Sequence, residues 1–113
     1  MSMSRKFKTA DYAATLNQTI SISEALPAEH LARFVVDVVA QLDLTAIYAR
    51  YRGRGGEAYA PEVLVALLFY GYTTGVFSSR KIEKATYEVL PFRYVAGNLH
   101  PDHDTLANFR KTF

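Results

Sequence analysis

The last third of the sequence, residues 78–113, concentrates side chains that could contact a nucleic acid. Two predicted helices there carry basic, amide and hydroxyl groups on faces turned away from their apolar stripes. Arginine and lysine bind phosphates, while asparagine, threonine and arginine also contact base edges. The phosphate candidates are Arg80, Lys81, Lys84 and Lys111, and the base-contact candidates are Thr105, Asn108 and Arg110. This pattern favours binding of double-stranded DNA over catalysis.

A cluster of histidines and aspartates at residues 100–104 raises a second possibility, a metal site. Two imidazoles and two carboxylates within five residues could ligate zinc or a harder ion. Pro101 and a helix start would splay these groups, however, and helix capping accounts for Asp102 without a metal. We therefore predict no metal and no cofactor, and a small hydrolase built on His100 and His103 is the weakest hypothesis.

The composition excludes several other classes of protein. Cysteine is absent, which removes disulfides and thiolate metal sites and fits a reducing compartment, by default the cytoplasm. No Ser-His-Asp, Cys-His or paired-carboxylate set is recognisable, and His30 is interpreted as a helix-surface residue, so no catalytic residue is predicted. The longest apolar run, residues 63–72, is about half of the roughly 20 residues that a membrane span needs. No membrane partner is expected.

The net charge is small but its placement is uneven. Thirteen basic against eleven acidic residues leave +2, so attraction to a polyanion must come from local clusters. One cluster precedes the first acid, and another is the glycine-rich stretch Arg52–Gly56. That stretch is either a basic loop whose backbone approaches phosphates or a flexible connector. We favour the connector, because its glycine spacing matches no nucleotide-binding fingerprint.

The elements that would position these residues begin with an amphipathic helix from Pro27 to Leu42. Pro27 suits its first turn and Glu29 complements the dipole there. Apolar residues at helical spacing should form its buried stripe, namely Leu31, Phe34, Val35, Val38, Val39 and Leu42. A short helix, residues 44–51, follows with Asp43 as its cap.

The most apolar segment predicts a central helix from Pro61 to Gly75. Its apolar residues cover nearly the whole circumference, as in a helix surrounded by other elements. Gly71 within it costs about 0.5–1 kcal/mol relative to alanine. We expect a neighbouring helix to approach closely at this glycine.

Three short helices are predicted after residue 77: residues 79–88 capped by Ser78 or Ser79, residues 91–96 ended by Gly97 and Asn98, and residues 103–113 capped by Asp102. Their inward residues should be Ile82, Ala85, Thr86, Val89, Phe92, Val95, Leu106, Phe109 and Phe113. Two amphipathic helices joined by a tight turn follow the plan of a helix-turn-helix. The alternative to DNA binding is an ordinary solvent-exposed helix face, on which Glu83 and Glu88 form ion pairs with the lysines.

No sustained strand alternation, repeat or low-complexity tract is present. The predicted fold class is all-α, a compact multi-helix domain of about six helices with a C-terminal helix-turn-helix-like segment. Residues 1–23 are predicted to be a flexible N-terminal arm, and residues 24–113 to form the helical domain.

Three stretches in this order resemble one known family. They are LPAEHLARFVVDVVAQLDL, YAPEVLVALLFYGYTTGVFSSRKIE and NLHPDHDTLANFR, within residues 26–110. They resemble the N-terminal domain of bacterial insertion-sequence transposases of the InsH-like DDE class. The resemblance implies a helical domain that precedes a ribonuclease-H-like catalytic domain, whose three carboxylates hold the metal ions for strand cleavage and joining.

This sequence stops at Phe113, before that catalytic domain is expected, and none of its acids maps to the triad. We therefore expect a non-catalytic domain that binds the element's terminal repeats and assembles the transpososome. The chain would be a fragment of a longer enzyme, a decayed reading frame or a stand-alone product. The alternative is a protein-interaction module that forms a homodimer or joins an intact transposase, which the eight tyrosines and seven phenylalanines also fit.

Overall fold

The computed structural model describes residues 21–51 and 59–113. Seven helices and no strand occur in these residues, which confirms the all-α prediction. They are α1 (Ile22–Ala25), α2 (Leu31–Ala40), α3 (Thr45–Tyr51), α4 (Pro61–Thr74), α5 (Ser79–Glu88), α6 (Leu90–Val95) and α7 (His103–Thr112). Residues 1–20 of the predicted arm and the predicted loop Arg52–Gly56 lie outside the described residues.

The predicted central helix is confirmed as α4, which packs against α2, α5, α6 and α7. Pro61 stands in its first turn, and Gly75 ends it in the left-handed conformation with φ of 83°, which glycine adopts without steric cost. Leu64 and Leu67 are fully buried at the middle of the domain. The core therefore lies around α4, and the later helices are mounted on it.

The close approach predicted at Gly71 is also confirmed. A Cβ atom at this position would lie 2.9 Å from Cδ1 of Ile82 on α5 and 2.6 Å from the carbonyl oxygen of Val76. Both distances are too short for a real side chain. The absence of a side chain at Gly71 lets α5 pack against α4.

The predicted start of α2 at Pro27 is wrong, since the helix begins at Leu31. Pro27 instead opens a turn in which its carbonyl accepts a hydrogen bond from the His30 backbone N–H at 3.2 Å. His30 is the N-cap, and its Nδ1 accepts the Ala32 N–H at 3.0 Å. A residue interpreted as merely lying on the helix surface therefore caps α2.

The buried side of α2 is narrower than its apolar stripe. Ala32, Val35 and Val39 are buried, because this side faces α4 and α6. Leu31, Phe34 and Leu42, which were predicted to be buried, are exposed, and Phe34 is 62% exposed. Part of the apolar stripe thus lies on the surface of the domain.

Arg33 is a structural cation that ties α1 to the rest of the domain. Its guanidinium donates hydrogen bonds to the carbonyl oxygens of Leu26 at 2.7 Å, Pro27 at 2.9 Å, and Ser23. It also lies over the Tyr94 ring of α6, 4.9 Å from the centroid. The bonds to Ser23 and Leu26 give partners to carbonyls at the end of α1. The sequence does not predict α1 as a helix.

Candidate nucleic-acid interface

The segment predicted as helix-turn-helix-like forms α5, α6 and α7, with α5 packed against both of the others. Ser78 is the N-cap of α5, as predicted, and its Oγ accepts the Lys81 N–H at 3.3 Å. Val89 was predicted to face inward but is exposed, because α5 ends at Glu88 and Val89 is extended. Phe113, also predicted to be buried, is exposed beyond the end of α7.

A tight turn connects α6 to the segment that precedes α7. Gly97 and Asn98 have positive φ angles of 59° and 65°, a conformation that glycine and asparagine tolerate best. Asn98 is held there by Arg93, whose guanidinium donates to its Oδ1 at 3.2 Å. The predicted end of the helix at Gly97 and Asn98 is confirmed. After this turn the chain runs back to α5, which His100 contacts.

Glu83 of α5 caps the N-terminus of α7. Its Oε1 accepts the His103 backbone N–H at 2.9 Å and lies 2.8 Å from His103 Nδ1. Since a carboxylate can only accept, the second bond requires the proton on Nδ1. A negative charge at a helix N-terminus is favourable. Glu83 therefore fixes α7 relative to α5, and among the described residues its ion pair is with His103 and not with Lys81 or Lys84.

Asp102 holds the N-cap position of α7, as predicted, but its side chain makes no capping hydrogen bond to the backbone. Its Oδ1 instead accepts the Thr105 hydroxyl at 2.5 Å. The capping function predicted for Asp102 is thus supplied by Glu83, from another helix. Thr105, a predicted base-contact residue, already uses its hydroxyl proton in this bond.

His100 contacts α5 through Thr86 and Tyr87. Thr86 is buried, and its hydroxyl donates to the Glu83 carbonyl at 2.6 Å, so the 3.2 Å contact between Thr86 Oγ1 and His100 Nδ1 requires His100 to donate. The His100 ring stacks on Tyr87 with centroids 3.9 Å apart and planes 4° from parallel. The His100 carbonyl accepts the Tyr59 hydroxyl at 3.2 Å.

These contacts account for the two histidines that raised the metal hypothesis. His100 Nδ1 meets a hydroxyl and His103 Nδ1 meets a carboxylate, so each ring is oriented by α5. Within residues 21–51 and 59–113, no group of three or more histidine, cysteine, aspartate or glutamate side chains could hold a metal ion. The cluster therefore joins α7 to α5 in this structure.

Six of the seven predicted DNA-binding residues are exposed, and Thr105 is half-buried. Helical geometry turns each residue by about 100° from the last, which places Arg80 and Lys84 on the outer side of α5 and Asn108 and Lys111 on the outer side of α7. These four residues occupy the outer faces of two helices in contact. The DNA-binding role of all seven residues stays a prediction.

The other three predicted residues are less central to this surface. Lys81 is turned about 160° from Glu83, and so lies on the side of α5 away from α7. Thr105 is turned by the same angle from His103, away from α5. Arg110 borders a surface cavity of about 280 Å³ next to Tyr72 and Phe77, near the end of α4.

The sequence did not predict the contacts that hold the two helices in place. They are made by Glu83, Tyr87, His100 and Thr86, of which Thr86 was correctly predicted to face inward. A local pattern could not reveal the cap, because Glu83 and His103 are 20 residues apart. The stacking of Tyr87 on His100 could not be predicted from a local pattern either, since His100 lies outside α5. The local signal that the sequence offers is Tyr87, an aromatic residue on the same side of α5 as Arg80 and Lys84.

The cap makes the stability of the domain sensitive to acid. Hydrogen bonds from the His103 side chain and backbone hold the pKa of Glu83 below its ordinary value of 4.5. The Thr105 hydroxyl likewise lowers the pKa of Asp102. Because the folded pKa is the lower one, the stabilisation is present above pH 4.5 and is lost as the pH falls through the folded pKa.

We therefore expect the free energy of unfolding to decline in this acid range, and Glu83→Gln to make the decline shallower. Urea titrations at a series of pH values measure both curves. Glu88→Gln, at an exposed position of the same helix, is the matched control and should follow the wild type. Identical acid profiles for Glu83→Gln and the wild type would contradict the role of the cap.

A protein-family model matches most of the chain. The family model described as "Transposase domain (DUF772)" matches residues 20–112, which includes every described helix. No curated protein matches the chain, and no solved structure matches it. In the part of the chain that the structure describes, no helix is long and apolar enough to cross a membrane.

Proposed function

Because the chain belongs to the family described as "Transposase domain (DUF772)", we propose that it binds DNA and assembles the transpososome at the ends of an insertion sequence. In this proposal it is the N-terminal domain of a transposase of the InsH-like DDE class. The observation that carries the proposal is the pairing of α5 and α7, whose outer faces present Arg80, Lys84, Asn108 and Lys111.

The electrostatics of this surface support contact with a polyanion. The last turn of α7 contains Arg110 and Lys111, and α5 adds the exposed cations Arg80 and Lys84, which are about one turn apart. Each duplex phosphate neutralised contributes a slope of about −0.9 to the dependence of log affinity on log salt. In this role Lys84 contacts phosphate and supplies affinity, and Asn108 contacts a base edge and supplies sequence preference.

The proposed function is tested by selecting preferred duplexes from a random pool and titrating them at several salt concentrations. Lys84→Ala should weaken binding to preferred and random duplexes alike and reduce the salt slope by about 0.9. Asn108→Ala should lower affinity for the preferred duplex by about 1–3 kcal/mol and leave random duplex nearly unchanged.

Lys81→Ala is the internal control, since Lys81 lies on the side of α5 away from α7. It should weaken binding less than Lys84→Ala does. A random pool that yields no enriched sequence would remove the base-reading role, and equal losses in the two lysine variants would contradict the proposed surface.

A second candidate function, a dimerisation module, is favoured by the exposed part of the α2 stripe. Leu31 and Phe34 are exposed large apolar residues one turn apart, on a helix whose other side already contacts the core. Apolar patches of this kind commonly mark contact with another protein. The partner would be a second copy of the chain or an intact transposase.

If α2 forms this contact, Phe34→Ser should shift a concentration-dependent dimer to monomer in light scattering while leaving the fold intact. Tyr72→Ser, at another exposed aromatic position, is the matched control and should not change the association. A wild-type chain that stays monomeric at every concentration, with and without duplex DNA, would exclude the homodimer.

The proposed roles require no catalytic group in this chain. Cleavage and joining of strands would belong to the catalytic domain of the transposase, and the chain would contribute recognition of the ends. Access to cellular DNA agrees with the predicted cytoplasmic location, which stays a prediction.

A further inference from the structure

A basic row on α5 ends in an exposed aromatic ring. Arg80, Lys84 and Tyr87 are spaced at i, i+4 and i+7, so they fall within about 60° of one another around the helix. All three are exposed, and Tyr87 is 57% exposed. A strand whose phosphates contact the two cations would therefore pass close to the tyrosine ring.

The ring is held rigidly from behind by His100. The two rings are parallel and 3.9 Å apart, and His100 is fixed in turn by Thr86 Oγ1 at 3.2 Å and by the Tyr59 hydroxyl at 3.2 Å on its carbonyl. Only one face of Tyr87 is covered by this stack. In the described part of the chain, Tyr87 has no other ring contact and no hydrogen bond.

We propose that the open face of Tyr87 is a stacking site for an unpaired nucleobase of a bound DNA strand. An ordered aromatic ring beside cations is the arrangement that binds single-stranded nucleic acid, because every base has a π face and the phosphates need neutralising. A base inside a duplex is already stacked on both sides. The site therefore takes a base at a frayed end or in a single-stranded extension.

This inference rests on the proposed function, since it places the base beside the same cations. The same contacts also fit a simpler role, in which the Tyr87–His100 stack only anchors the segment before α7 to α5. An anchoring role would affect all DNA equally, whereas a stacking site discriminates between paired and unpaired bases.

The experiment compares the full chain on a short duplex with and without a single-stranded extension that carries 2-aminopurine, a base whose fluorescence falls when it stacks. The wild type should bind the extended duplex about tenfold more tightly and quench the fluorescence. Tyr87→Phe should retain both effects, and Tyr87→Ala should lose both. Tyr87→Leu keeps an apolar contact with His100 and should also lose both, which guards against misfolding of the alanine variant.

Several outcomes would overturn the inference. Equal weakening of both DNAs by Tyr87→Ala and Tyr87→Leu assigns an anchoring role only. A loss in Tyr87→Phe as large as in Tyr87→Ala assigns a hydroxyl contact with phosphate. Lys84→Ala separates the two proposals, because unchanged affinity for the plain duplex would contradict the proposed function, whatever the effect of Tyr87.

Discussion

Leu106→Ala should lower the free energy of unfolding by about 2–5 kcal/mol, the cost of emptying a close-packed leucine site. Leu106 is fully buried on the inner side of α7, which packs against α4 and α5. The lost contacts are those that keep α7 on the domain. Urea or thermal unfolding followed by circular dichroism measures the change, and a domain of this size should lose about 4–8 °C in Tm per kcal/mol.

Asn108→Ala is the matched control for this prediction, because Asn108 lies on the outer side of the same helix and is exposed. Its effect on stability should stay within about 0.5 kcal/mol, although it is expected to change DNA preference. The two variants therefore separate support of α7 from recognition by α7. A Leu106→Ala protein as stable as the wild type would contradict the packing of this helix.

Gly71→Ala should destabilise the domain by about 1–3 kcal/mol, as overpacking of a core usually does. Helix propensity alone predicts the opposite sign, since alanine is favoured over glycine by about 1 kcal/mol in a helix interior. The structure decides between them, because the added Cβ would lie 2.6 Å from the Val76 carbonyl oxygen. A backbone oxygen cannot move aside as cheaply as the end of a side chain.

Two further measurements sharpen this test. Thr73→Ala, at an exposed position of the same helix, should leave stability unchanged or raise it slightly. In an Ile82→Val background, which removes the Cδ1 atom 2.9 Å from the added Cβ, the cost of Gly71→Ala should be smaller. Stabilisation by Gly71→Ala in the wild-type background would contradict the close contacts of this position with Val76 and Ile82.

The positions of the helices were largely predictable from local signals. Pro61 and Gly75 mark the ends of α4, and Ser78 caps the start of α5, because a proline, a left-handed glycine and a capping hydroxyl act on the residues immediately beside them. The error at Pro27 has the same origin. A proline fits a non-helical turn as well as the first turn of a helix. Here Pro27 lies in a non-helical turn, and the helix starts after His30, whose ring caps it.

The burial of individual side chains was less predictable. Periodicity shows which residues share a side of a helix, but not how much of that side another helix covers. On α2 the neighbouring helices bury Val35 and Val39 but leave Phe34 exposed. Val89 and Phe113 were misjudged for a related reason, since each lies just past the end of a helix, where the helical spacing no longer applies.

The sequence by itself determined the all-α class, the central helix and the residue types available for contact with DNA, because propensity, capping and apolar spacing depend on neighbours in the chain. Only the tertiary structure decided that Glu83 caps α7 and that Tyr87 stacks on His100. Those partners are 20 and 13 residues apart in sequence. Their pairing depends on how α5 and α7 pack around α4, which no local pattern specifies.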